Sequence, residues 1–469
     1  MLFATSCAGA GTVVTPPVDT YLNGGTLEGD AQIPPDAPEA DRLSAAMSAA
    51  EAALSAAPKL DFEGMTFIIT STDGKGVFGE TAGATTISKE KHMRLKYITE
   101  KLNVNIITVT DSIENMLDGI KKANNSATVY THLLHVEGRH VGSLLYNGMI
   151  GNVEALPYVD TSKPYYDAAF CEEMKTPSGL YALYGEALRC YEQTSAVFYN
   201  ESLREKLGIA EPDGLVYSGE WTYDKMTELA KAAQAASTDE SKLYGILNTD
   251  SSDLFSSAYV ASGVDSVDLD GSLTVRNNTE ILDAVSAKLR ELTSSGAYFA
   301  ESVEDVSAES AFASGKGLFL ISKLEAVDKI YNMSDVWGVL PLPTVSGAGH
   351  TLPHTKSLPV ICYPSASADL AETGVVIESI FASSYKIIDA AYFDTYFHYY
   401  VRNEKSMDMF AYLLGSERTD FALYFTDEFA NFSKATLGAF ADACTGTEAY
   451  SKIFERNKRA ANRSLGYIK

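Results

Sequence analysis

The stretch "SAVFYNESLREKLGI", residues 195–209, followed at 220–236 by "EWTYDKMTELAKAAQAA", sets the reading of the fold. Six residues of mostly apolar, partly β-branched chain give way to a helical pattern that stops at Gly208. Glycine fits there because the residue after a helix often takes a left-handed backbone, which other side chains resist. Thr222 then caps a second helix and turns Met226, Leu229 and Ala233 inward. A buried strand leading straight into helices is the rhythm of an α/β layered fold.

The same rhythm runs on both sides. Upstream, the pattern predicts strand Met65–Thr70, helix Ser88–Leu102 with Ser88 as its cap, strand Val104–Val109, helix Ser112–Lys122 and strand Thr128–Val136. This βαβαβ order predicts a parallel sheet covered on both faces, with ligands beyond the carboxyl ends of its strands. Downstream, strand Lys242–Leu247, a hairpin about Asp270-Gly271, helix Thr279–Gly296 and "AFASGKGLFLIS" (311–322) continue the style without repeating the sequence.

At 469 residues the chain is long enough for two lobes, each with its own core. Its 37 basic and 62 acidic residues leave a net charge of −25, which argues against nucleic acid as partner. No run of about twenty apolar residues is present, so no spanning helix is expected. "MLFATSC" has small residues directly before Cys7, as at the end of a lipoprotein signal, so Cys7 is the expected lipid-anchor position. Residues 8–60 hold six of the 15 prolines, and seven acids against two bases. That composition predicts a flexible tether, with a short helix near its end carrying Leu43, Met47, Ala50 and Leu54 on one face. Cys171, Cys190, Cys362 and Cys444 form no CxxC. A Cys171–Cys190 bridge and buried free thiols both stay open.

The quoted segments together resemble extracellular solute-binding proteins of sugar-type ABC importers. The matching marks are Tyr199-Asn200, Gly208-Ile209 and Trp221-Thr222, then "AFASGKGLFLIS", "WGVLPLPT" (337–344) and "RNEKSMDMFAYLL" (402–414). They span most of residues 62–469. The resemblance implies a type II periplasmic-binding-protein-like fold, with two α/β lobes joined by three hinge crossings near Tyr184–Ala196, Ser357–Ile361 and Gly415–Leu423. The N-lobe would be 62–190 plus 358–416, and the C-lobe 191–357 plus 417–469. It also implies a monomeric receptor, lipid-anchored on the extracellular face of the cell membrane. The receptor would capture a small polar solute, a carbohydrate, and deliver it to an ABC permease, with no cofactor, metal or catalytic residue. An extracellular carbohydrate-active enzyme, or a surface adhesin or sensor on the same fold, are the alternative readings.

Candidate ligand residues follow from strand ends and crossings. The loop Gly74-x-Gly76-x-x-Gly79 does not open a helix, and Lys75 is followed by glycine rather than Ser or Thr, so neither a dinucleotide fingerprint nor a P-loop is present. Asp73 and Lys75 resemble the family's polar contacts there, while Asp-Gly turn chemistry explains them equally well. Glu137 and Arg139 in "HVEGRHVG" (135–142) are placed at the same cleft. Tyr184 and Glu186 lie at the first crossing. In the second half, Asp253 and Phe255 follow a strand. Lys323 and Glu325 stand where sugar-binding relatives often place an aromatic, and that lack argues against a stacked oligosaccharide. His132 and His135 should point to opposite faces of a strand, which speaks against a zinc site. "DSVDLDGSL" (265–273) lacks the outer ligands of a calcium loop and reads as a hairpin. Trp221 and Trp337 read as packing residues, and "YFDTYFHYY" (392–400) as a helical packing stripe. No GxSxG, HExxH or Cys–His signature suggests catalysis.

Overall fold

The computed structural model describes residues 39–73, 76–78, 85–126, 128–238, 241–347, 349–367, 369–399 and 404–468, with the side chains of 39–40, 396–399 and 404–407 left aside. Cys7 and Lys75 lie outside the described residues.

Strand β1 (Thr66–Ser71) pairs in parallel with β2 (Asn105–Thr110) and with β3 (Leu133–Glu137). Helices α1 (Glu39–Ala56), α2 (Thr86–Leu102) and α3 (Ile113–Ser126) belong to the same half of the chain. Two sequence boundaries shift. The cap of α2 is Thr85, whose side chain accepts from the Ser88 amide, and Ser88 already lies within the helix. Strand β3 starts at Leu133 because the Thr131 side chain hydrogen-bonds to the Ile68 and Leu133 carbonyls, and His132 Nδ1 accepts from the Ile68 amide.

The second sheet contains β4 (Ser195–Asn200), β5 (Tyr244–Asn248), β6 (Tyr298–Ala300), β7 (Gly317–Lys323) and β8 (Trp337–Leu340) in the order β8-β4-β7-β5-β6. Its centre is apolar on both faces: every residue of β4 and β5 is buried, as in a sheet covered on two sides. The expected parallel style holds for β5, β6 and β7, whereas β4 runs antiparallel to both β7 and β8. The following helix, α4 (Glu201–Leu207), starts on the Asn200 side chain and ends at Gly208 with φ of +66°. Helix α5 (Tyr223–Ala235) starts on Thr222, and α6 (Ser251–Ala261) on Asp250. Trp221 is fully buried and donates to the Pro341 carbonyl, as its packing role required. Residues Val267–Leu269 and Leu273–Val275 form the expected hairpin.

After β8 the chain runs through β9 (Leu352–Pro353) and adds β10 (Pro359–Cys362) antiparallel to β3, giving the first sheet the order β10-β3-β1-β2. Helices α7 (Leu370–Ala382) and α8 (Ile387–Tyr399) then cover this sheet's side of the molecule, α8 packing on α1 and α2. The small buried face of α1, with Ala46, Ala50 and Ala53, lets the helices approach closely. Arg42 sits 5.0 Å above the Phe393 ring, and Lys101 donates to the Ala57 carbonyl at the end of α1. The tether helix is therefore docked. Helix α9 (Glu404–Leu414) lies instead against β8, with Met409, Phe410 and Leu413 buried and the Tyr412 ring edge-on to Tyr217. That contact sets α9 beside the second sheet, ahead of the segment Gly415–Leu423. The last described strand, β11 (Glu417–Arg418), pairs with β9. Cys171, Cys190, Cys362 and Cys444 are free thiols.

Candidate functional site

The segment 189–194 bonds to both halves of the molecule. On the first side, Lys91 of α2 donates to the Arg189 carbonyl at 3.4 Å, and on the second the Leu324 amide donates to the Thr194 carbonyl at 2.9 Å. Between these joints Tyr191–Gln193 makes one 3-10 turn, and its side chains reach partners on both sides. Glu192 accepts from the Tyr392 hydroxyl at 2.8 Å, and Gln193 donates to Glu325 at 3.2 Å.

On the first lobe, Asp73 is fixed by its neighbours. Its carboxylate accepts from Ser71 Oγ at 3.0 Å and from the Gly76 amide at 2.6 Å, and stands 3.8 Å from His135 Nδ1. Ser71, His135 and Asp73 do not make a hydrolytic triad, because the serine and the aspartate face the same ring nitrogen. A triad needs the base held from its far side. Burial pushes His135 below its ordinary range, opposed by Asp73, so the ring is held neutral. Lys91 lies 5.6 Å from the Tyr392 ring centroid, and burial lowers its ammonium. Glu137 and Arg139, at the end of β3, pair with one another at 2.7 Å, both partly exposed.

On the second lobe, Lys323 closes β7 and meets Asp253 at 3.3 Å, with about a fifth of each side chain open. Asp253 stands there because Asp250 caps α6 and accepts from the Ser252 and Asp253 amides. Thr249 and Ser322 hydroxyls lie 3.1 Å apart, and Asn248 donates to the Tyr298 hydroxyl at 2.7 Å. Sequence spacing thus brought two expected residues, Asp253 and Lys323, into direct contact. Phe255, one helical step on, is buried at 7% exposure and packs inside the lobe.

Tyr184 and Glu186 sit deeper. Tyr184 is 0% exposed, with its ring against Phe170 and His354. The Glu186 carboxylate accepts from the amides of Lys386 and Asp389, so it anchors the start of α8. Burial, together with the neighbouring Asp389, pushes it up to about 8 against the pull of Arg189. Lys91, Glu192, Gln193, Tyr298 and Ser322 were not singled out from the sequence, and Tyr392 was read there only as part of a packing stripe.

Two sheets with helices about them, tied to one linking segment, form two lobes. The chain has the two-lobed fold of the extracellular solute-binding proteins. A cyclic α-maltosyl-1,6-maltose binding protein from Arthrobacter globiformis superposes with a TM-score of 0.59 at 13% identity, over 86% of this chain and 99% of that one. The galacto-N-biose/lacto-N-biose I-binding protein of a Bifidobacterium longum ABC transporter gives 0.58 at 14% identity, over 86% and 98%. A family 1 extracellular solute-binding protein from Bifidobacterium longum subsp. infantis gives 0.55 at 10%, over 84% and 98%. No protein-family model matches the sequence. No curated protein matches it either. Among the described residues no helix of this solute-binding-protein fold is long and apolar enough to cross a membrane.

Proposed function

We propose that this protein is a solute receptor that takes a carbohydrate between its two lobes and hands it to an ABC permease, without breaking a bond. The observation that carries the reading is that solved proteins matched along nearly their full length are named as sugar-binding proteins, one of them that of an ABC transporter. The N-lobe is taken as 62–190 plus the chain from 358 through α8, and the C-lobe as 191–357 plus α9 to the end. Cys7 would carry the lipid that holds the receptor on the extracellular face of the membrane, as a monomer.

Within the cleft we assign solute contact to Asp73, Glu137 and Arg139 on one lobe and to Asp253, Lys323 and Glu325 on the other, joined at the base by Glu192 and Gln193. Lys75, next to Asp73, is retained as a contact from its sequence position. These are groups that bond sugar hydroxyls, with few aromatic faces among them, which favours a short solute over a long stacked chain. Tyr184, Glu186 and Phe255 serve as supports. A thermal-shift screen over mono- and oligosaccharides, followed by chromatography of the hit, tests the reading. The expected result is a raised melting temperature with the sugar recovered intact, because a ligand of the folded state stabilises it by mass action. New products would make the protein an enzyme, and silence across the panel would leave an adhesin or sensor.

A further inference from the structure

The segments that join the lobes are tied by a buried ionic cluster outside the proposed solute contacts. Arg189 lies in the first crossing, with 16% of its side chain exposed. Its Nε meets Asp389 Oδ1 of α8 at 3.0 Å, and its Nη1 lies 3.7 Å from Asp167 Oδ2, both on the first lobe. The same Nη1 pairs with Glu417 Oε2 on β11, the strand that follows the helix packed on the second sheet. Glu417 is 7% exposed, and its other oxygen receives His354 Nε2 at 2.9 Å and the Tyr184 hydroxyl at 3.2 Å. His354 stands just ahead of the second crossing. Backbone bonds tie the same pieces together: Thr355 N to Gln193 O at 3.1 Å, His354 N to Arg418 O at 2.8 Å, and Leu352 N to Ser416 O at 2.9 Å.

We propose that Arg189 and Glu417 form the clasp that sets the resting angle between the lobes. One guanidinium holds a first-lobe carboxylate, Asp389, and a second-lobe carboxylate, Glu417. A hinge rotation that moved the lobes apart at this point would have to separate one of them from a largely desolvated cation. Breaking a buried pair by removing one partner is expensive, since it leaves a charge without its counterpart. Discrete partners of this kind favour one angle over a continuum. Arg189 and Glu417 are positioning residues: they touch no solute, but any solute held between the lobes feels them through the closure equilibrium. The inference rests on the two-lobed receptor reading for its consequence, while the resting angle itself exists without solute.

Small-angle scattering from the ligand-free full chain tests it, comparing wild type with Glu417→Gln and with Asp389→Asn. Each variant cuts one arm of the clasp while keeping side-chain shape. The expected result is a shifted radius of gyration and a broader distance distribution in both variants, at a temperature where circular dichroism shows them folded. Curves that superimpose on wild type would overturn the proposal, because a role confined to stability lowers the melting temperature and leaves the folded shape alone. Should either variant fail to fold, hydrogen exchange on the wild type decides. The amides of Leu352, His354 and Thr355 should be protected like those of β4, and exchange as fast as exposed loops would refute the clasp. None of these readings uses a sugar, so a failed glycan screen leaves them standing and marks the failure as that of the receptor reading.

Discussion

The hinge and the jaws use the same residue types to opposite ends. At the hinge, the buried Glu417 gathers Arg189, His354 and Tyr184, and Arg189 also holds Asp389. At the jaws, Asp253 and Lys323, or Glu137 and Arg139, pair two by two; the second pair is more open to water than the hinge side chains, and the first about as open as Arg189 and Asp389. A buried carboxylate with several partners fixes geometry because its alternatives are costly, whereas an isolated, partly exposed pair can trade its partner for a hydroxyl at little cost. Substitutions at the hinge should therefore act on fold and angle, and those at the jaws on affinity.

The comparison breaks first, and most visibly, at Glu186. Glu186→Ala removes the acceptor for two amides at the start of α8 and should cost about 2–3 kcal/mol, read as a lower denaturation midpoint. If affinity for the solute fell while the midpoint stayed put, Glu186 would belong with the jaws.

Next comes Asp253→Ala, which leaves Lys323 without its partner in the cleft. Titration calorimetry should show solute binding weakened by about tenfold to a hundredfold, or 1.4–2.7 kcal/mol, with the melting temperature of the ligand-free protein nearly unchanged. A large drop in melting temperature with unchanged affinity would make this pair structural.

A third test uses pH. Burial, then the nearby Asp420, pushes Glu173 up to about 8, opposed by the bond from the Phe421 amide and by Arg418. Unfolding returns Glu173 to the ordinary carboxylate range. Between that range and about pH 8 the folded chain holds the extra proton, so stability from this site is complete at low pH and is lost as pH rises. Glu173→Gln should flatten that decline, so its melting temperature should gain on wild type from pH 5 towards pH 8. A constant gap across this range would mean that the carboxyl does not titrate there.

The smallest effect is expected for stability at Arg139. Its pair with Glu137 is about two-fifths open on the arginine side, so Arg139→Ala should change stability by less than about 0.5 kcal/mol. An appreciably larger loss would move this pair to the hinge class.

Much of the fold could be read from periodicity and caps. Gly208 and Thr222 marked their helices because the backbone at a helix end needs a left-handed residue or a side-chain acceptor, whereas the Asn200 cap went unread. Strand direction was less legible: β4 is as apolar as its parallel neighbours yet runs antiparallel, and no local signal distinguishes the two. Of the cleft, the pairing of Asp253 with Lys323 followed from two strand ends. The burial of Tyr184 and Glu186 did not, because it depends on Asp389, Glu417 and His354, which lie some 170 to 235 positions further along the chain. A crossing residue borders the pocket and the core at once, and sequence position alone cannot tell which way it turns.

The most direct test of a receptor that closes on sugar is scattering from the full protein, titrated with each saccharide that raises its melting temperature. The account predicts a smaller radius of gyration at saturation, as the lobes draw together. A bound sugar that leaves the scattering curve unchanged would contradict it.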